Sequence, residues 1–234
     1  MNYYILTLFD NVINSYINES IIKRAIDKEL INVEVINIRD FSKNKHKKVD
    51  DTPYGGGGGM IINPIVLSDS IEYVLNKING SYEIIYMSPR GKLFNHSIAK
   101  EYSNKCNNYI VICGHYEGID ERVIEEYNIT EISVGDYVLT GGELASLVFL
   151  DATCRLKENV ISSQSLEFES HSNGLLEYSQ YTKPLEFRGR KVPEVLVNGN
   201  HAKINEFRLN DSLRITQKNR PDMIKKEGNT NGHN

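Results

Sequence analysis

The sequence has no apolar run near the ~18 residues that a membrane-crossing helix needs, so no span is expected. Residues 1–12 carry no basic segment and no small-residue cleavage site, so no signal peptide is expected either. Cysteine is scarce. Cys106, Cys113 and Cys154 are an odd number, and their separations fit no zinc or dithiol redox pattern. That points to reduced thiols in a cytoplasmic protein. The common nucleotide fingerprints are missing: there is no G-x-x-x-x-G-K-[ST] and no G-x-G-x-x-G after the first apolar run. Zinc-peptidase H-E-x-x-H and the hydrolase elbow G-x-S-x-G are missing too. No ligand spacing points to a metal, and no internal repeat is visible.

What is present suits a globular chain. Of 234 residues, 40% are hydrophobic and 25% charged, enough for a core in one large or two smaller domains. The net charge of −4 does not announce a nucleic-acid binder, but it is unevenly spread. Residues 172–234 carry 11 Lys and Arg against 7 Asp and Glu, whereas residues 1–171 carry 16 against 24. An acidic body with a basic tail implies that a polyanion is gripped by the tail. A basic run, Lys43 with Lys45, His46, Lys47 and Lys48, reads by itself as a solvated loop.

Short apolar runs at 3–9, 33–38, 83–87, 109–113 and 129–134 read as strands. Helical patterns at 13–29, 64–77, 96–104 and 121–127 alternate with them. This predicts an α/β body with a mostly parallel sheet. The apolar stretch 143–155 lacks β-alternation and reads as a buried helix. Residues 157–173 are polar and without a clear period, which suggests a mobile linker. The smaller unit that follows begins extended, with Pro184 and Pro193. It continues at 201–218 as a helix able to bury Ile204, Phe207 and Leu213, and 227–234 is expected to fray.

Three glycine-bearing segments each follow an apolar run: Met87-Ser88-Pro89-Arg90-Gly91, 113–122 and 134–143. In open α/β sheets ligands bind beyond the carboxyl ends of the strands, so the three together suggest one pocket. Their glycines expose backbone polar groups able to read a purine edge, and Val134, Val138 and Leu139 supply apolar walls. The run Gly55–Gly59 reads either as a flexible turn or as backbone that lets a ligand approach closely.

Asp-Asp-Thr-Pro-Tyr-Gly-Gly-Gly-Gly-Gly-Met (50–60), Gly-His-Tyr-Glu-Gly-Ile-Asp-Glu-Arg (114–122) and Ser-Val-Gly-Asp-Tyr-Val-Leu-Thr-Gly-Gly-Glu (133–143) occur in order. They are followed by Gly-Leu-Leu-Glu (174–177), Tyr-Thr-Lys-Pro (181–184) and Gly-Asn-His-Ala (199–202). Together they closely resemble bacterial tRNA (guanine-N1)-methyltransferases of the TrmD type, within the SPOUT knotted methyltransferases. The resemblance covers about residues 1–224.

It implies a trefoil-knotted, mostly parallel sheet over 1–160, a mobile linker over 161–171 and a small, mainly helical tRNA-binding domain over 172–234. It implies a homodimer in which the knot of one protomer faces the linker and tail of the other. The implied reaction methylates N1 of guanine 37, in the tRNA anticodon loop, from S-adenosylmethionine. Gly114, Val134, Gly135, Asp136, Tyr137, Val138 and Leu139 resemble the family's cofactor cradle, and Tyr86, Ser88, Pro89, Gly141 and Gly142 its flanks. Glu117 and Arg155 are similar to its active-site Glu and Arg. Glu169-Ser170-His171 stands where the family has Asp-Ser-Phe, which makes Glu169 the implied general base, with Glu167 as a competing register.

Other departures from the family pattern are His115 for Arg, Ser179 for Pro, Lys183 for Arg and Asp10 for Pro. The tail's basic groups, from Arg188 to Arg220, interleave with Tyr178, Tyr181 and Phe207, as stacking and phosphate contacts to single-stranded RNA require. Mg²⁺ assistance has no ligand pattern to support it. Two other readings stay open: a SPOUT RNA methyltransferase with another base or ribose target, and a catalytically weak RNA-binding relative.

Overall fold

A computed structural model of the chain describes residues 1–224. The chain divides into two compact units, Met1–Ile161 and a second that begins at Ser162. The first unit runs β1 (Asn2–Thr7), α1 (Asp10–Ile17), α2 (Ser20–Asp27), β2 (Asn32–Asn37), β3 (Asp50–Asp51) and β4 (Ile61–Ile62). It continues with α3 (Pro64–Leu75), β5 (Tyr82–Leu93), α4 (His96–Lys105), β6 (Asn108–Cys113), α5 (Glu121–Glu126), β7 (Thr130–Ser133) and α6 (Glu143–Cys154). Five strands form one sheet in the order β2-β1-β6-β5-β7, every pair parallel, while β3 and β4 make a small antiparallel pair.

Strand alternation decides which residues meet which helices. Tyr3, Ile5, Ile85, Met87, Tyr109, Val111 and Cys113 share one core cluster with buried side chains of α1, α2, α4 and α6. Their neighbours Tyr4, Leu6, Ile84, Tyr86, Ile110 and Ile112 share the other with α3 and α5. Helices therefore cover both faces, every residue of β6 is buried, and its run of apolar residues is unbroken. Phe149 of α6 meets Tyr109 edge-on at 5.6 Å, and Tyr3 stacks on Tyr109 at 5.7 Å. The Tyr3 hydroxyl bonds Thr153 Oγ1 at 2.7 Å, so a polar tip enters the core with a partner.

Two elements differ from the sequence expectation. The single helix expected at 13–29 is two, because Asn18 closes α1: its side-chain amide donates to the Asn14 carbonyl at 2.8 Å, and Glu19 is extended. β5 continues past residue 87 to Leu93, but its register against β7 breaks between Met87 and Lys92. Residues 88–91 thus bulge at the carboxyl end of the sheet rather than forming a separate loop.

The second unit holds α7 (Ser163–Glu167), a two-stranded ribbon of β8 (Glu186–Phe187) and β9 (Arg190–Lys191), a short 3₁₀ turn at Glu194–Leu196, and α8 (His201–Asn219). The polar segment read as a linker contains α7, and backbone near it is tied locally: the Ser172 hydroxyl donates to the Glu169 carbonyl at 2.8 Å and the His171 N–H to the Leu175 carbonyl at 2.8 Å. The fully buried residues of α8 are polar. Asp211, Ser212 and Thr216 are buried, whereas Leu213, expected in the core, is exposed. Asp211 accepts from the Ser179 N–H at 2.7 Å, and Thr216 Oγ1 accepts from the Leu176 N–H at 2.9 Å. These bonds tie the helix to residues 176–179, and Ile204 and Phe207 are half-buried on the same side. The fraying expected at 227–234 lies outside the described residues. Among the described residues no helix is long and apolar enough to cross a membrane.

Candidate active site

A cavity of about 250 Å³ opens beyond the carboxyl ends of β5, β6 and β7. The β5 bulge supplies Ser88 and Pro89, the loop after β6 supplies residues 114–118, and the loop after β7 supplies Val134 and residues 137–142. The three segments singled out in the sequence thus meet at one place, as the rule for open α/β sheets requires. Of the twelve residues that the resemblance assigns to the cofactor, ten line this cavity, and so does Glu117. Gly135 and Asp136 do not line it. Gly135 stands one step back: its carbonyl accepts from the Tyr137 N–H at 2.9 Å and from the Ser133 hydroxyl at 2.9 Å, and a Cβ there would run into the Tyr137 ring.

Close backbone approach makes two glycines obligatory. A Cβ on Gly142 would lie 2.6 Å from the Gly114 nitrogen and 2.8 Å from the Cys113 Cα. One on Gly114 would lie 2.7 Å from the Tyr86 ring. The Gly142 N–H donates to the Gly114 carbonyl at 2.8 Å, which pins the end of the β7 loop against the end of β6. From there α6 begins, and its first residue, Glu143, is buried with Oε1 accepting from the Thr7 hydroxyl at 2.8 Å. A carboxylate in the first turn of a helix is favoured by the helix dipole.

The glycine run reaches the same place. The Glu117 N–H donates to the Met60 carbonyl at 2.9 Å and the Ile62 N–H to the Gly118 carbonyl at 3.0 Å. Gly59, at φ +87°, leaves no room for a Cβ beside the Glu117 side chain. The segment 50–62 therefore borders the cavity mouth through Glu117.

His115 lines the cavity, and its Nδ1 is buried with no hydrogen-bond partner among the described residues. Its ring sits 5.0 Å from Phe9 and 4.7 Å from Tyr116. Burial, then the carboxylate of Glu131, pushes the Tyr86 hydroxyl above its ordinary pKa. Burial also pushes the Cys113 thiol up, so it serves as packing and not as a nucleophile. Beside the cavity, Arg90 is paired with Glu121 at 2.5 Å and Glu131 at 2.8 Å. Arg155 caps the carboxyl end of α6, its N–H donating to the Asp151 carbonyl at 3.0 Å, and does not line the cavity. Glu169 belongs to the second unit.

Sequence reading missed the Thr7–Glu143 pair, which no local signal could reveal because the two are 136 residues apart. It also gave no role to Tyr116 and Thr140, although both stood within the quoted loops.

The model of one protein family, described as tRNA (Guanine-1)-methyltransferase TrmD, matches residues 1–226. The chain is 50% identical over 228 residues to a tRNA (guanine-N(1)-)-methyltransferase of Clostridioides difficile, covering 97% of this chain and 98% of that one. It is 49% identical over 232 residues to the protein of the same name from Ruminiclostridium cellulolyticum, with 99% of each chain covered. A third protein of that name, from Dehalococcoides mccartyi, is 52% identical over 223 residues, 95% of this chain and 90% of its own. With the family model spanning nearly the whole chain and half of all residues shared along its length, this chain belongs to the TrmD family of tRNA (guanine-N1)-methyltransferases.

Proposed function

We propose that this chain methylates N1 of guanine 37 in tRNA, in the cytoplasm, as a homodimer, with a carboxylate as general base. The observation that carries the reading is the cavity beyond β5, β6 and β7, formed by the segments that bear the family's motifs.

The cavity suits S-adenosylmethionine. Val134, Val138, Leu139 and Ala145 offer apolar walls for an adenine, and close-packed glycine backbone offers donors and acceptors for its edge. The unpartnered Nδ1 of His115 is a polar atom in the same wall that a polar ligand would satisfy. When bound, the donor supplies an electrophilic methyl group on a sulfonium, so no metal or nucleophilic side chain is required for the transfer.

Guanine N1 holds a proton at neutral pH and is a poor nucleophile until it is lost. Glu169 accepts that proton as general base. The charge that then develops on O6 is stabilised by Arg155, whose guanidinium stays ionised. Glu117, held by its backbone bond to Met60 at the mouth, contacts the entering base. Alignment supplies much of the remaining rate. The tail, with its excess of Lys and Arg, grips the RNA.

A trefoil knot is supported by two features. Gly142 presses against residues 113–114, and α6 then packs on β1 and β6 although the chain has just left β7 at the sheet's edge. The homodimer is supported by an apolar face that the unit leaves open. Val12 and Tyr16 of α1 and Leu144 and Val148 of α6 are all exposed, and the two helices are joined by the Tyr16 hydroxyl donating to Asp151. Contiguous exposed apolar surface of this kind marks an interaction site.

The test is incubation with tritiated S-adenosylmethionine and an unmodified tRNA transcript, followed by nucleoside analysis. Label in 1-methylguanosine at position 37 is the expected outcome. Label in a ribose or another base would support the neighbouring SPOUT reading, and no label the inactive relative.

A further inference from the structure

A second cavity, of about 450 Å³, lies wholly within the second unit, between residues 178–183, the 3₁₀ turn at Glu194–Leu196 and α8. Its volume is in the ~300–1,000 Å³ range of small-molecule sites. Its walls include the apolar Leu196 and Ile204 and the aromatic Tyr178 and Tyr181. Its charged lining residues are Lys183 and Arg208, and among the described residues no carboxylate lines it. The Arg208 guanidinium lies over the Tyr178 ring, 4.8 Å from the centroid, and its Nε is buried with no hydrogen-bond partner among the described residues. A buried N–H without an acceptor is uncommon and calls for a ligand or a bound group. Tyr181 lines the cavity and is about half exposed, so its ring is open to a ligand.

These features select the occupant. Two cations and no carboxylate disfavour a cationic ligand. An open tyrosine ring rewards a planar ligand, whereas an acyl chain gains nothing specific from it. The buried Nε needs an acceptor at the edge of that plane, and Lys183 suits a phosphate outside. We propose that this cavity is a second nucleotide pocket, which takes one unstacked tRNA nucleotide other than the methylated guanosine, its base on Tyr181 and a ring carbonyl or ring nitrogen accepting from Arg208. The proposal rests on the reading of tRNA as substrate. It assigns the stacking contact to one cavity and one planar donor, where the sequence offered only tyrosines interleaved with basic residues.

The experiment uses the full chain, single-turnover methyl transfer with an unmodified tRNA transcript, and the variants Tyr181→Ala, Arg208→Gln and Arg208→Lys. Loss of one base-stacking contact raises KM for tRNA by a factor on the order of 10 in Tyr181→Ala, with kcat at saturating tRNA and S-adenosylmethionine affinity unchanged. Arg208→Gln shows the same split. Arg208→Lys does not rescue it, because an ammonium cannot keep a planar donor stacked on Tyr178. The slope of log affinity against log salt stays the same in both Arg208 variants. Rescue by Lys, with a slope that falls by about one in the Gln variant, would mean an ordinary phosphate contact and overturn the pocket. Unchanged KM in all three would do the same. In parallel, wild-type protein is crosslinked to transcripts that each carry a single 4-thiouridine. Attachment to the peptide holding Tyr178 and Tyr181 is expected from one position, and attachment from none would sink the proposal even where a variant fails to fold. If wild-type protein does not methylate tRNA at all, the substrate reading fails; if it does and the variants match it, only the pocket fails.

Discussion

At the scale of single residues, the cavity depends on atoms that are absent as much as on those present. Gly142→Ala places a Cβ against main chain on both Cys113 and Gly114, which cannot swing aside. We expect S-adenosylmethionine binding to be lost in calorimetric titration and stability to fall by about 1–3 kcal/mol in urea unfolding, the usual range for overpacking. Gly57→Ala is the control: its φ of +116° strains a side chain, but nothing lies within reach of a Cβ, so donor affinity should hold. Glu169→Gln keeps the size of the side chain and removes its basicity. Its kcat should drop by a factor on the order of 10²–10⁴ in single-turnover assays with donor affinity unaltered, while Glu167→Gln should be mild. If Glu167→Gln is the crippled enzyme, the base lies two residues earlier.

Between elements, the α1–α6 face carries the dimer reading. Val148 is about half exposed in the middle of α6, next to the turn that presents Leu144. A surface substitution there changes the stability of one chain by only about 0.5 kcal/mol or less. Val148→Asp should therefore halve the mass seen by light scattering, leave the far-ultraviolet spectrum intact and abolish methyl transfer. A variant that stays dimeric would remove this face from the interface. Elements also show where local pattern succeeded. Asn63 accepts from the N–H groups of Ile65 and Val66 just before Pro64, a helix start written in the sequence. Asn200 does the same for α8, accepting from the Lys203 N–H at 3.2 Å.

For the molecule as a whole, the two units predict separable functions. Both apolar core clusters lie before residue 161, so a chain ended there should fold and bind S-adenosylmethionine while losing most tRNA affinity in filter binding. Tight tRNA binding by that shortened chain would show that the tail is not the grip. The core also sets an alkaline limit. Burial pushes the hydroxyls of Tyr3, Tyr86, Tyr102, Tyr109 and Tyr127 above their ordinary values, and a hydrogen bond to Asp151 lifts Tyr16 to about 12. Burial likewise lifts the Cys154 thiol to about 12. Each group is an acid that holds its proton more tightly folded than unfolded. Their contribution is complete below the unfolded values, about 8.5 for thiols and 10 for tyrosines, and is lost as pH rises toward the folded ones. The urea midpoint should fall steadily from about pH 9 upward, and Tyr16→Phe should flatten part of that fall between pH 10 and 12.

The sequence by itself determined the alternation of strands and helices, because a strand buried on both faces must be apolar throughout, as residues 109–113 are, and a helix start needs a cap. It also marked the cavity, since the three segments at 88–91, 113–122 and 134–143 could be named from their glycines. Tertiary structure decided the rest. Strand order is set by side chains packing across 100 or more residues, as when Tyr3 meets Tyr109 and Thr153. The same distance hides Thr7 beside Glu143, and a shorter one, still far beyond local pattern, hides the approach of Gly59 to Glu117. Tertiary structure explains α8, where Ile204 and Phe207 are half-buried as their spacing suggested, but Leu213 is exposed and hydrogen bonds from residues 176–179 bury the polar Asp211 and Thr216 instead. A helix has several candidate faces, and only the chain packed against it selects the one that is buried.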